Sequence, residues 1–272
     1  MNHSNIAFIG AGNMASSLIG GLVQQGCQKE NLFVSDPSAE QTQALVSEYG
    51  LNACENNKQA ALQADVLVLA VKPQVMKDVL ADIKSAVTQK QPLIISIAAG
   101  IPLATFSSVL GETTAVVRCM PNTPSLVGVG ATGMIANPKV SQNQQALAEQ
   151  VLGAVGLALW VKNEAQIDAV TALSGSGPAY VFLLMESMIA AGQSLGLDAE
   201  TAKQLTLQTA LGAATMAQQS DVSPAILRQR VTSPGGTTEQ ALRTFEDGGF
   251  KPLVGSALAA AEKRSKELAD LI

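Results

Sequence analysis

Ile6-Ala7-Phe8-Ile9-Gly10-Ala11-Gly12-Asn13-Met14-Ala15 is the stretch that decides the fold. Four apolar residues of strand character run straight into a glycine-rich turn, and the turn opens a helix. Gly10 permits the tight turn, and Gly12 lets the backbone approach a pyrophosphate with no side chain in the way. Ala15 fills the third small position, where the helix packs on the strand. The main-chain amides and the positive end of the helix dipole then face the phosphates. A turn of this kind can be purely structural. Its place directly after a first strand, within a βαβ run, makes Gly10, Ala11, Gly12, Asn13 and Met14 candidates for holding a dinucleotide.

Working outward, short apolar runs recur at Leu32–Val34, Val66–Val71, Leu93–Ile97 and Ala115–Arg118. They are rich in Val and Ile and alternate little, as strands of a parallel sheet covered on both faces do. Stretches with helical spacing separate them, at Met14–Gln25, Ala39–Tyr49 and Val75–Val87. This alternation predicts right-handed βαβ units in a doubly wound, mostly parallel α/β sheet. After residue 160 the texture changes to long Ala/Leu/Met-rich helical windows without a convincing strand. The expected division is therefore a dinucleotide-binding domain over 1–160 and an all-helical domain over 161–272. In the latter, Pro178 sits in the first turn of a helix that ends at Gly196, and Asp198 caps the next. Further helices are expected near Ser223-Pro224, near Thr237 and from about Lys251. Several are apolar around much of their circumference, so a second subunit is expected to cover them.

The composition narrows the function. The chain has 272 residues, 47% of them apolar and 14% charged, so it has material for a sizeable core. A net charge of −5 and 3% aromatics give no footprint for nucleic acid or for an anionic membrane surface. No apolar run reaches the roughly 18 residues that a membrane span needs. Cys27, Cys54 and Cys119 lie far apart, and their odd number, with no secretory segment ahead of them, reads as reduced cytoplasmic thiols. His3 is the only histidine, which excludes a Ser-His-Asp triad and a His-based metal site.

The residue that reads the adenosine ribose should stand at the end of the second strand, at Ser35-Asp36. The Asp36 carboxylate accepts from a 2′-hydroxyl and repels a 2′-phosphate; the competing reading is that it caps the helix that follows. Loops after the other strands should line the same crevice: Ala70-Val71-Lys72-Pro73, Ala98-Ala99-Gly100, and Met120-Pro121-Asn122-Thr123-Pro124. Lys72 is either a coenzyme contact or a surface ammonium. Asn122, fixed between prolines, either faces the nicotinamide or makes an Asx-type turn. In the helical half, two segments are richer in glycine and hydroxyls than packing requires. Leu173–Tyr180 and Val231–Glu239, the second including Ser233, Gly235, Gly236, Thr237 and Thr238, each place amides at a helix start. Such amides suit a small carboxylate, or serve only as helix caps.

Taken together, the Ile-Gly-Ala-Gly-Asn-Met opening, Ala70–Pro73, Ser96–Gly100, Met120–Pro124, Ser174–Tyr180 and Val231–Thr238 make the chain resemble pyrroline-5-carboxylate reductases along nearly its whole length. The Ser-Pro-Gly-Gly-Thr-Thr segment is the most specific part. The resemblance implies that the amides of Gly236, Thr237 and Thr238 bind the carboxylate of a cyclic imine. It also implies that the Thr238 hydroxyl lies near the ring nitrogen, and that a nicotinamide of NADPH or NADH delivers hydride to the imine carbon, giving proline. Such a site manages without histidine, because the ring nitrogen is itself basic. By matching position, Glu164 and Asp221 fall near the substrate, Arg230 near the coenzyme and Asn57 near the adenosine ribose. Many members carry a small hydroxyl residue where this chain has Asp36, which points toward use of NADH. The resemblance also implies a dimer with interlocked helices, decamers of five dimers, and an active site that combines residues of neighbouring chains.

Two other readings compete. A hydroxy-acid dehydrogenase of the same architecture needs a lysine base in the helical half, and residues 161–230 hold only Lys162 and Lys203, neither at a glycine-rich helix start. A non-catalytic dinucleotide sensor gives no reason for the Ser233–Thr238 segment.

Overall fold

The computed structural model describes residues 4–270, so His3 lies outside the described residues. The chain forms two compact units, one running to Ser176 and taking in the chain again from Ala260, the other spanning Gly177–Ala259.

The first unit is built on β1 (Ile6–Ile9), α1 (Asn13–Gln24), β2 (Leu32–Ser35), α2 (Ala39–Tyr49), β3 (Asn52–Ala53), α3 (Asn57–Gln63), β4 (Val66–Leu69), α4 (Met76–Lys90), β5 (Leu93–Ser96), α5 (Leu103–Leu110) and β6 (Val116–Met120). It continues with β7 (Gly130–Ala136), α6 (Gln142–Gly153), β8 (Gly156–Trp160) and α7 (Gln166–Val170). The eight strands form one sheet in the order β3-β2-β1-β4-β5-β6-β7-β8. Every pair is parallel except β6 with β7. That pair is antiparallel because the residues between its strands form only a short 3₁₀ turn, Thr123–Val127, with no helix to carry the chain back across the sheet.

The sheet is covered on both faces, and the pleat sorts the side chains. Ile6 and Phe8 join Leu18, Ile19, Leu22, Val68 and Val151 in one core, while Ala7 and Ile9 join Leu67, Leu80, Ile83, Ile94 and Phe106 in the other. Strands buried on both sides need no alternation of polarity, which is why these runs read as continuous apolar segments.

Several boundaries differ from the sequence reading. The run Val66–Val71 is a strand only to Leu69, because the chain leaves the sheet to enter the 3₁₀ turn Pro73–Val75. Strands β3, β7 and β8 escape notice for separate reasons. β3 has two residues, β7 carries two glycines, and β8 alternates half-buried with exposed positions. The first unit also runs beyond residue 160. Ile167 of α7 and Ala172 are buried, and Val170 packs where a Cβ on Gly133 would come within 2.7 Å of it.

The second unit consists of α8 (Gly177–Ser194), α9 (Ala199–Gln219), α10 (Pro224–Arg230), α11 (Thr237–Asp247) and α12 (Phe250–Asp270) up to Ala259. Asp198 caps α9 by accepting from the Thr201 amide at 3.0 Å, and Ser223 caps α10. Much of its apolar surface is open in the single chain: Phe182 and Leu183 are each 62% exposed, and Leu195 is 87% exposed. The stretch 166–194, with Asp168 and Glu186 as its charges, reaches the length and mean hydropathy of a membrane-crossing helix.

Candidate active site

At the carboxyl edge of the first unit's sheet, the strand order reverses between β1, which leads to β2 on one side, and β4 on the other. Ligands of open α/β sheets bind at this kind of switch point. The Gly10 amide donates to the Ser35 carbonyl at 2.8 Å, and the Ala70 amide donates to the Ile9 carbonyl at 2.8 Å. The loops after β1, β2 and β4 therefore start from one stitched corner. Gly10 has φ +105°, and a Cβ there would lie 2.4 Å from the Ala70 carbonyl oxygen. At Gly12 a Cβ would meet nothing within 4 Å. Gly12 also begins α1 without a side-chain cap, so the first-turn amides of Asn13 and Met14 stay open to an anion. This cradle fits the pyrophosphate of a dinucleotide. Gly10→Ala is expected to cost about 3 kcal/mol, from positive-φ strain added to a backbone clash. A lowered urea midpoint together with loss of NADH binding checks this.

Asp36 is half-buried, and both of its oxygens are engaged. Oδ2 accepts the Ala11 amide at 2.8 Å and Oδ1 the Ser38 amide at 2.7 Å. The helix cap that competed for Asp36 falls to Ser38, whose hydroxyl accepts from the Gln41 amide. Asp36 is thereby locked to the phosphate-binding turn, and the Ala11 amide, expected at the phosphates, serves this carboxylate instead. Next to it the Ser35 hydroxyl donates to Asn57 Oδ1 at 2.9 Å, which brings Asn57, at the start of α3, to the same corner. Val71 and Pro73 are half-buried and Lys72 is exposed. After β5, Ala98 and Gly100 are buried and Ala99 is exposed.

The loop after β6 differs from expectation in its side chain. Asn122 is buried, with Nδ2 donating to the Ser174 carbonyl at 3.0 Å and Oδ1 accepting the Ala131 amide at 2.8 Å. Its amide group bridges two segments of the first unit, and its own carbonyl accepts the Ser125 amide at 3.1 Å. The segment Leu173–Gly175 is likewise not a loop. It belongs to a π-helical turn, Thr171–Gly175, and the Ser176 amide returns to the Thr171 carbonyl at 2.8 Å, so these amides are engaged in a wide helical turn.

Glu164 is a third departure. Its Oε1 accepts both the Leu103 amide at 2.7 Å, at the start of α5, and Arg118 Nη1 at 2.7 Å. The Arg118 side chain is only 5% exposed. Glu164 is therefore no solvated charge, and its Oε2 bonds nothing among the described residues. Arg118 was missed from sequence because it stands in an apolar β6 run. Cys119 beside it is buried, and burial pushes its thiol far up, so it offers no nucleophile.

In the second unit, Gly235 (φ +71°) and Gly236 turn the chain into α11. The Gly235 amide donates to Glu239 Oε2 at 2.7 Å, and the Gly236 amide donates to the Ser233 carbonyl at 3.0 Å. The Gly236 amide, expected among the carboxylate donors, thus closes the turn that starts the helix. Gly236 caps α11 through its backbone alone. The amides of Thr237, Thr238 and Glu239 therefore have no acceptor among the described residues, and neither has the Thr238 hydroxyl. Thr238 is half-buried, while Arg230 and Asp221 are exposed.

The family pattern described as pyrroline-5-carboxylate reductase dimerisation matches residues 164–268, and that of NADP oxidoreductase, coenzyme F420-dependent, matches residues 5–100. The pyrroline-5-carboxylate reductase of Pseudomonas aeruginosa is 57% identical over 270 residues, covering 99% of this chain and 98% of its own. This chain belongs to the pyrroline-5-carboxylate reductase family. The solved structure of the Coxiella burnetii member superposes with a TM-score of 0.95 at 47% identity, covering 98% of this chain and 99% of that one. A Plasmodium falciparum member solved with NADP bound gives 0.87 at 35% identity, with 99% of each chain covered. As a pyrroline-5-carboxylate reductase, the chain carries the family's dimerisation domain on its helical part, which is where the open apolar surface of α8 and α9 lies.

Proposed function

We propose that this chain reduces 1-pyrroline-5-carboxylate to L-proline with NADPH or NADH, as the final step of proline synthesis. The observation that carries this reading is the start of α11. A helix N-terminus without a side-chain cap offers adjacent amides, at Thr237 and Thr238, beside a threonine hydroxyl that bonds nothing among the described residues. Two amides and a helix dipole suit one small carboxylate. A hydroxyl held near a ring nitrogen orients an iminium without needing a shifted pKa.

In this reading the coenzyme is held within 1–160 and the substrate within 161–272. Reduced nicotinamide, when bound, supplies the hydride. The chain's own residues grip and align. Gly12, Asn13 and Met14 hold the pyrophosphate, Asp36 and Asn57 the adenosine ribose, and the backbones of Ala70–Pro73, Ala98–Gly100 and Pro121-Asn122 the remainder. Thr238 holds the ring nitrogen. By the family resemblance, Arg230 is assigned to the coenzyme, and Asp221 and Glu164 to the substrate.

Absorbance-followed NAD(P)H oxidation tests the proposal. Oxidation is expected with the cyclic imine and not with a panel of hydroxy- and keto-acids, whereas coenzyme binding without any turnover would favour a sensor. Asp36→Ser is expected to raise the ratio of kcat/KM for NADPH to that for NADH by about tenfold, since a carboxylate beside a 2′-phosphate is repulsive. An unchanged ratio removes Asp36 as the ribose reader.

We also propose that α8 faces protein rather than lipid, and that two chains pair through it, with five such pairs forming a decamer. The dimerisation match over 164–268 and the exposed Phe182, Leu183 and Leu195 support the pairing. Three free cysteines support a cytoplasmic setting. Light scattering in the absence of detergent should give the mass of ten chains, or of two for the bare dimer, and a monomer contradicts the pairing.

A further inference from the structure

Beyond the ribose corner itself lies a residue that no coenzyme motif includes. Asp82, on α4, accepts from Asn57 Nδ2 at 3.4 Å through Oδ2 and pairs with Lys58 Nζ at 3.3 Å through Oδ1. A carboxylate only accepts hydrogen bonds, so only the NH₂ side of the Asn57 amide can face it. That orientation turns Asn57 Oδ1 toward Ser35, and the Ser35 hydroxyl then donates its single proton into Asn57 at 2.9 Å. Three groups that could have met a 2′-phosphate here have partners elsewhere. The Asn57 NH₂ group and the Lys58 ammonium face Asp82, and the Ser35 hydroxyl faces Asn57. Beside them, Asp36 presents negative charge.

We propose that Asp82 is a positioning residue for coenzyme choice: by holding Asn57 and Lys58 to itself, it draws these donors away from the adenosine ribose corner and so disfavours a 2′-phosphate. The inference rests on the reading of this corner as the adenosine ribose site. It also explains how Ser35 and Asn57, both capable phosphate ligands by type, can line a corner that does not favour phosphate. With the Asp82 carboxylate gone, the Asn57 amide is free to turn its NH₂ toward the ribose, the Ser35 proton is released, and Lys58 loses its partner. A pair with Lys58 55% and Asp82 41% exposed contributes little to stability, so the substitution acts on recognition while the fold persists.

The test is calorimetric titration of the whole protein with adenosine 2′,5′-bisphosphate and with 5′-AMP, probes that differ only in the 2′-phosphate and need no turnover. Asp82→Ala is expected to tighten the bisphosphate about fivefold while 5′-AMP moves less than twofold. Lys58→Gln added to it should take back part of that gain. NADPH and NADH titrated in parallel should show the same shift in ratio. An unchanged ratio between the two probes, or equal tightening of both, overturns the role of Asp82. Failure of the wild-type protein to bind either adenosine probe or either coenzyme instead overturns the assignment of the ribose corner.

Discussion

Thr238→Ala is expected to lower kcat/KM for the cyclic imine by about a hundredfold while leaving the Kd for NADH unchanged. The Thr238 hydroxyl bonds nothing among the described residues, and Thr238 lies just inside the uncapped start of α11. A positioned donor or acceptor at the reacting group is worth roughly 10²–10³ in rate. The amides of Thr237 and residue 238 survive the change, so carboxylate binding persists and the loss falls mainly on kcat. Thr238→Ser, which restores the hydroxyl, should recover most of the activity. Coenzyme binding, measured by nicotinamide fluorescence, separates this outcome from misfolding. Near-normal turnover by the alanine variant removes Thr238 from the chemistry.

Glu164→Ala is expected to destabilise the first unit by about 3 kcal/mol. Arg118 is almost fully buried and Nε has no partner, so Glu164 is the only counter-ion its guanidinium has among the described residues. Removing one member of such a pair leaves an uncompensated charge inside the protein, which typically costs 3–5 kcal/mol; the low end applies because Glu164 is a third open to water. The same change also frees the Leu103 amide at the start of α5. Adding Arg118→Met should return most of the loss, because an apolar side chain of similar length replaces the stranded cation. Urea denaturation of the single and double variants decides the matter. If the double variant is no more stable than Glu164→Ala, the cost comes from the helix start instead of the buried charge.

The nucleotide half was legible because its signals are local. The strand, the glycine turn and the helix that define the phosphate cradle are contiguous from Ile6 to Ala15, and burial of the strands on both faces shows directly as unbroken apolar runs. What escaped reading depends on partners distant in sequence. Nothing near Glu164 tells that Arg118 waits for it, and nothing near Asn57 points to Asp82 on α4. The two bridging bonds of Asn122 involve Ala131 and Ser174, and no local pattern encodes them. The glycines at 175 and 177 read as a loop because glycine usually marks one; here they accompany a π-helical turn against Met120, where a Cβ on Gly175 would come within 2.7 Å of the methionine methyl. The start of α11 stands out in sequence because its glycines and hydroxyls cluster between Ser233 and Thr238. Which of its amides remain open depended on the turn closed by Ser233 and Gly236, a detail of geometry that composition does not carry.

The most direct measurement follows the hydride itself. Wild-type protein is incubated with 1-pyrroline-5-carboxylate and NADH deuterated at the transferable position of the nicotinamide, and the product is analysed by mass spectrometry and NMR. The account predicts L-proline carrying one deuterium at C5, the former imine carbon, formed in step with coenzyme oxidation. Coenzyme oxidation without deuterated proline, or no oxidation while the coenzyme binds, contradicts it.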